Sequence, residues 1–114
     1  MVVTTTSEIN GTRVRRTLGL VRGNTIRTKH FGKDILAWLR YLVGGEIPEY
    51  TKMMAQSREQ ALDRMVEEAE KLGANAVLCT RFQTSKIMSG ASEILCYGTA
   101  VVLERDPGGN GEVE

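Results

Sequence analysis

Three consecutive threonines, Thr4, Thr5 and Thr6, set three hydroxyls near the start of the chain. Hydroxyls at that density could hold a small ligand, and the same residues also make a good strand. A second group is Glu46, Tyr50 and Arg58, an acid, a phenol and a guanidinium. Tyr50, Met54 and Arg58 recur every four residues, which puts them on one side of a helix. There a tyrosine could donate a proton and an arginine hold an anion. Arg58 falls among apolar neighbours, where a guanidinium normally needs a carboxylate, and Glu46 or Glu49 could supply it. The same residues therefore also describe an interfacial ion pair that only fixes packing. Thr4, Thr5, Glu46, Tyr50 and Arg58 are the candidate ligand-binding or interface residues, and no catalytic set is recognisable.

Metal chemistry finds little to work with. A structural zinc site needs four ligands, often as close Cys or His pairs. This chain offers Cys79, Cys96 and His30, widely spaced. A hairpin turning near Gly90 sets Cys79 opposite about residue 101 and Cys96 opposite about residue 84. At roughly 3.3 Å per residue the thiols are then too far apart for a disulfide or a shared ion in one subunit. They read as two small buried hydrophobes, and no cofactor is implied. A metal ion enters only if symmetric copies bring ligands together at an axis. His30 has no nucleophile or acid at a recognisable spacing. The glycines make neither a Walker-type loop nor a dinucleotide fingerprint. Arg13, Arg15, Arg16 and Arg22 could meet an anion, with intersubunit pairing or solvent the favoured reading.

The element that must position these groups runs from Tyr50 to Leu72. Met54, Ala61, Leu62, Met65, Ala69 and Leu72 return at helical spacing and define one apolar side. Glu59, Asp63, Glu67 and Glu70 form an acidic line on another, read as a solvated face with a Glu67–Lys71 pair one turn apart. Pro48 suits a first turn and Gly73 a left-handed stop. A shorter helix is predicted over 31–43, closed by Gly44-Gly45. Its apolar residues, Trp38 among them, cover more than one stripe and call for burial on two sides.

Strands are predicted over about 13–25, 75–87 and 93–104, with a short β-prone lead at 2–6. Asn10-Gly11 is a hairpin signal. Gly19 and Gly23 suggest a bulge or a close backbone approach. In the last strand Ile94, Cys96, Ala100 and Val102 alternate with Leu95, Tyr97, Val101 and Leu103, so both faces are apolar. A strand dry on both sides belongs mid-sheet. One long helix covers one face only, and the other needs cover from another copy. Residues 105–114, with Pro and three Gly, read as a disordered tail after a single domain over 1–104.

The chain has 114 residues, 15 basic and 14 acidic, with a net charge of +1. That balance marks no nucleic-acid or acidic-membrane partner. No apolar run approaches the roughly 20 residues that span a bilayer. Two cysteines and no signal sequence argue for a reducing, cytoplasmic setting.

Taken together, Val3-Thr4-Thr5-Thr6, Leu18-Gly19-Leu20-Val21-Arg22-Gly23, Gly44-Gly45-Glu46-Ile47, Glu49-Tyr50-Thr51, Ser57-Arg58-Glu59, Leu72-Gly73-Ala74-Asn75-Ala76-Val77 and Tyr97-Gly98-Thr99-Ala100-Val101-Val102 resemble the YbjQ-like family, uncharacterised and labelled heavy-metal-binding. Some members carry Arg-Ser-Gly where this chain has Glu46-Ile47-Pro48. The resemblance implies an α+β, two-layer sandwich with an antiparallel three-stranded sheet. It also implies a homopentameric ring knitted by extra short strands, which gives 2–6 a place across a subunit boundary. The leading expectation is a non-enzymatic ring that binds a small ligand or ion at subunit interfaces, or serves as a scaffold. The alternatives are a heavy-metal-binding protein with ligands assembled by symmetry, and an enzyme with an interface pocket using Tyr50 and Arg58.

Overall fold

The computed structural model describes residues 1–28, 48–88 and 91–107. In chain order these form β1 (Val2–Val3), β2 (Thr12–Thr28), α1 (Pro48–Lys71), β3 (Ala76–Met88) and β4 (Ala91–Arg105). The shorter helix expected over 31–43, with His30 and Trp38, lies outside the described residues, as does the tail beyond 107. Arg105 itself belongs to β4, pairing with Thr12, so the last strand runs one residue into the segment read as tail.

The strands make one mixed sheet in the order β1-β3-β4-β2. β4 is central and antiparallel to both long neighbours. The leading strand departs from expectation. It pairs parallel to β3 of its own chain, Val2 with Ala76 and Val3 with Val77, so it does not need a neighbouring subunit. It also lies on the opposite edge from β2, so Asn10-Gly11 joins no hairpin. Gly11 takes a φ of 80°, and its carbonyl accepts the Asp106 N–H, tying the start of β2 to the end of β4.

α1 lies along one face of the sheet. Ser57, Ala61, Met65 and Ala69 recur every fourth residue and are all buried. Ala61, Met65 and Ala69 pack on Val21, Val77, Ile94, Cys96 and Ala100 as the main core. Gly73 ends the helix at φ 88° with a paired closure: its N–H reaches Glu70 O, and Ala74 N–H reaches Ala69 O. That is the six-to-one and five-to-two pattern of a Schellman stop, and it delivers the chain directly into β3.

Gly23 is where sheet and helix touch. A Cβ there would stand 2.3 Å from Ala61 O and 2.4 Å from Met65 N. Beside it, Arg64 donates to Asn24 O at 2.6 Å, and Glu68 accepts the Arg22 N–H at 2.9 Å. The helix thereby occupies main-chain groups on the free edge of β2, a common protection for an edge strand.

Two bulges in β2, between Val14 and Arg16 and between Thr17 and Gly19, reset its facing. Val14 and Leu20 point away from the helix and stay exposed, whereas Leu18 packs on the main core. A strict two-residue alternation would put Val14, Leu18 and Leu20 on one face, and the bulges break it. The second face is also better covered than expected. Ala76, Leu78 and Val101 are buried there with Ile9, Cys79 and Leu103 packed against them. Further along that face Leu20 remains 66% and Ile26 54% exposed. Of the pairs expected on the surface, Glu67–Lys71 does not form. Among the described residues the ion pair is Arg13–Glu104, at 2.6 Å.

Candidate functional site

The threonine run follows β1 and docks on an irregularity in β3. Thr4 N–H donates to Val77 O at 3.0 Å, Cys79 N–H to Thr6 O at 3.0 Å, and Thr80 N–H to Thr4 O at 2.9 Å. These bonds continue the β1–β3 pairing across a register shift between Leu78 and Arg81. At that shift Cys79 adopts a φ of 55°, a left-handed conformation that costs a side-chain-bearing residue energy. The hydroxyls of Thr4 and Thr6 bond each other at 3.1 Å, and Thr6 Oγ1 reaches Glu8 O at 2.7 Å. Thr4 and Thr5 thus sit at a built junction, on its exposed side.

Two more residues complete the junction. Thr80 is 5% exposed, and its Oγ1 has no hydrogen-bond partner among the described residues. It lies against Gly98, where a Cβ would come within 2.6 Å of Val77 Cγ1 and 3.2 Å of Thr80 Oγ1. Gly98 leaves the space those groups fill. Arg81 directs Nη1 to both Thr5 O, at 3.0 Å, and Thr80 O, at 2.8 Å. Neither Thr80 nor Arg81 carries a sequence signal, because a bulge cannot be read from alternation.

The second candidate group does not come together among the described residues. Glu46 lies outside them, and Tyr50 falls in the first helical turn with its side chain outside them. Arg58 is exposed and not buried among apolar groups. The helix turns its buried line through the preceding residue, so Arg58 stands about 100° away from it. Ser57 takes the inward place. Its hydroxyl accepts Arg27 Nε, its carbonyl accepts the Thr25 hydroxyl at 3.2 Å, and Gln60 holds Arg27 Nη2. The fourfold spacing with Ala61, Met65 and Ala69 was the signal that could have found it.

The cysteines are free. Their separation has a different cause from the one expected. Cys96 pairs in register with Phe82 and faces the helix, while Cys79 packs on the opposite face beside Leu78 and Val101. Burial pushes the Cys96 thiol up to about 11, which keeps it protonated. Its Sγ lies 3.7 Å from Met65 Sδ. No group of three or more His, Cys, Asp or Glu residues placed to hold a metal occurs among the described residues. No helix among them is long and apolar enough to cross a membrane.

This α+β architecture, a four-stranded mixed sheet under one long helix, has known relatives. Residues 1–104 match the YbjQ_1 family model, described as "Putative heavy-metal-binding", and the chain belongs to that family. It is 55% identical over 104 residues to a UPF0145 protein of Dehalococcoides mccartyi, covering 91% of this chain and all of that one. A UPF0145 protein of Thermus thermophilus is 57% identical over 104 residues, 91% of each chain. Another, from Methanococcus vannielii, is 56% identical over 105 residues, 92% of this chain and all of the relative. Among solved structures, a DUF74-family protein of unknown function from Pediococcus pentosaceus superposes with a TM-score of 0.63, covering 91% of this chain and 98% of that one. At 15% identity that likeness speaks for the fold alone.

Proposed function

We propose that the protein is a homo-oligomeric ring, pentameric as the family resemblance implies, that binds a small ligand or ion near its subunit contacts or serves as a scaffold. The observation that carries this is apolar surface that one copy leaves in water. Leu20 and Ile26 stand exposed on the outer face of the sheet, and Phe82, Ile87 and Met88 on and beside the β3 strand. β1 and the threonine run accompany β3 only as far as Thr80, so among the described residues its far half has an open edge as well. Open edges and apolar patches together favour association with another copy. Light scattering at micromolar concentration tests it. The expected mass is about five times that of the 12.6 kDa chain, and a monomer refutes the reading.

Heavy-metal binding is the second reading, and the family description favours it. Ring symmetry would assemble its ligands from several copies, since no group of three or more His, Cys, Asp or Glu occurs among the described residues. Metal analysis of untagged protein decides it: no bound metal, and no change on replacing Cys79 and Cys96 by alanine, removes it.

A further inference from the structure

We propose that the outer face of the sheet binds a small oxyanion across the row Arg22, Tyr97 and Arg81. This gives a ligand class to the binding role proposed above and rests on it.

The row follows from register. Arg22 pairs with Tyr97 on one side of β4, and Arg81 pairs with Tyr97 on the other. Directly paired residues share a face, so three strands present these side chains in one line. Neighbouring strands stand about 4.8 Å apart, which sets the two arginines about 10 Å apart at the backbone with a phenol between them. Both arginines are exposed, and Tyr97 is half-buried.

Among the described residues no carboxylate answers the positive charge. The flanking rows are neutral: Leu20, Thr99 and Leu78 on one side, Asn24, Leu95 and Gln83 on the other. Glu93, one row further on, already accepts Asn24 Nδ2 at 2.8 Å. Glu68 takes the main-chain N–H of Arg22 and forms no ion pair with its guanidinium. Two cations with neutral neighbours attract an anion and repel a metal cation.

Arg81 is also held in advance, on the β1 side of β3, so the longer reach across the row falls to Arg22. Nη1 is fixed by Thr5 O and Thr80 O, which leaves Nε and Nη2 without acceptors among the described residues. A side chain already held loses less freedom on binding. The planar fork of a guanidinium matches the oxygens of a phosphate or carboxylate. Tyr97 adds a phenolic donor between the two arginines.

Isothermal titration of untagged protein at low ionic strength tests this, with inorganic phosphate, malonate and Zn²⁺ in separate runs. At least one anion should bind saturably, and the preferred one distinguishes phosphate from carboxylate ligands. Arg22→Gln and Arg81→Gln should each weaken binding about tenfold or more. Arg15→Gln, on the same strand but outside the row, should leave it unchanged. Arg81→Lys should behave like Arg81→Gln, because an ammonium lacks the fork. Arg22→Gln keeps the test decisive if loss of Arg81 unsettles the N-terminal residues. Absence of anion binding, equal weakening in all three glutamine variants, or binding of Zn²⁺ alone overturns the proposal. Mass measured on the same samples separates the two readings: a ring without anion binding refutes this inference only, and a monomer refutes the proposed function.

Discussion

Replacing Gly23 with alanine should destabilise the protein out of proportion to one methyl group. The new Cβ would lie 2.3 Å from Ala61 O, 2.4 Å from Met65 N and 2.7 Å from Arg64 Cβ. Ordinary contact starts at 3.4 Å, so helix and strand must part by about 1 Å. The obstructing atoms are mostly backbone and cannot rotate away. Parting α1 from β2 loosens the core around Val21, Ala61 and Met65, and stretches the bonds from Arg64 and Glu68 to the β2 edge. Overpacking typically costs about 1–3 kcal/mol. The alanine recovers about 0.4–1 kcal/mol by restricting the unfolded chain. With backbone as the obstacle the net loss should fall near 2 kcal/mol, or a Tm lower by about 8 °C for a domain of this size. Urea and thermal unfolding at fixed protein concentration measure it, since association shifts apparent stability. Gly19→Ala is the informative control. It meets no atom within 4 Å, and its φ of 117° gives it strain without a clash. A Gly23→Ala variant within 0.5 kcal/mol of the parent, an effect of about twofold in the folding constant, would refute the packing argument.

Three other outcomes follow from the described contacts. Thr80→Val keeps the shape and removes an unpartnered buried hydroxyl, so stability should hold or rise by about 1 kcal/mol in urea titration; a comparable loss would mean the hydroxyl is satisfied by water. Glu68→Ala should cost about 1 kcal/mol and speed hydrogen exchange specifically at the Arg22 amide, which it now engages. The raised Cys96 pKa binds its proton more tightly in the folded state than in the unfolded one. Stability should therefore be full below pH 9 and fall as pH climbs from 9 toward 11, and Cys96→Ala should flatten that part of the profile.

Much of this fold is written in periodicity. The fourfold spacing of Ala61, Met65 and Ala69 placed the helix, and the two-sided apolar pattern from Ile94 to Leu103 placed β4 in the middle. Gly19 and Gly23 were legible as well: one sits at a bulge with positive φ, the other under the helix backbone. What escaped was whatever the bulges decide. A single extra residue reverses every facing after it, so Leu18 turned inward and Leu20 outward. For the same reason the junction at Cys79, Thr80 and Arg81 was invisible, although its threonine half was picked out. Arg58 was misplaced because a helix position one residue from a buried line looks similar in sequence but points to solvent. Two residues carry too little pattern to show which edge β1 joins, and its place across a subunit boundary came from the family resemblance alone.

The order of pairing sets a condition on how the chain acquires its shape. β2 comes before α1 and β3 in the chain, yet its strand partner is β4, and β1 waits for β3. Among the described strands no pairing can begin until residues from 76 onward have emerged from the ribosome. Of the described elements α1 and the β3–β4 hairpin can organise themselves locally, and a two-stranded hairpin alone is marginal in water. Completion of the sheet therefore waits until β4 has been made, and it should be slow in proportion to the long separations it must close.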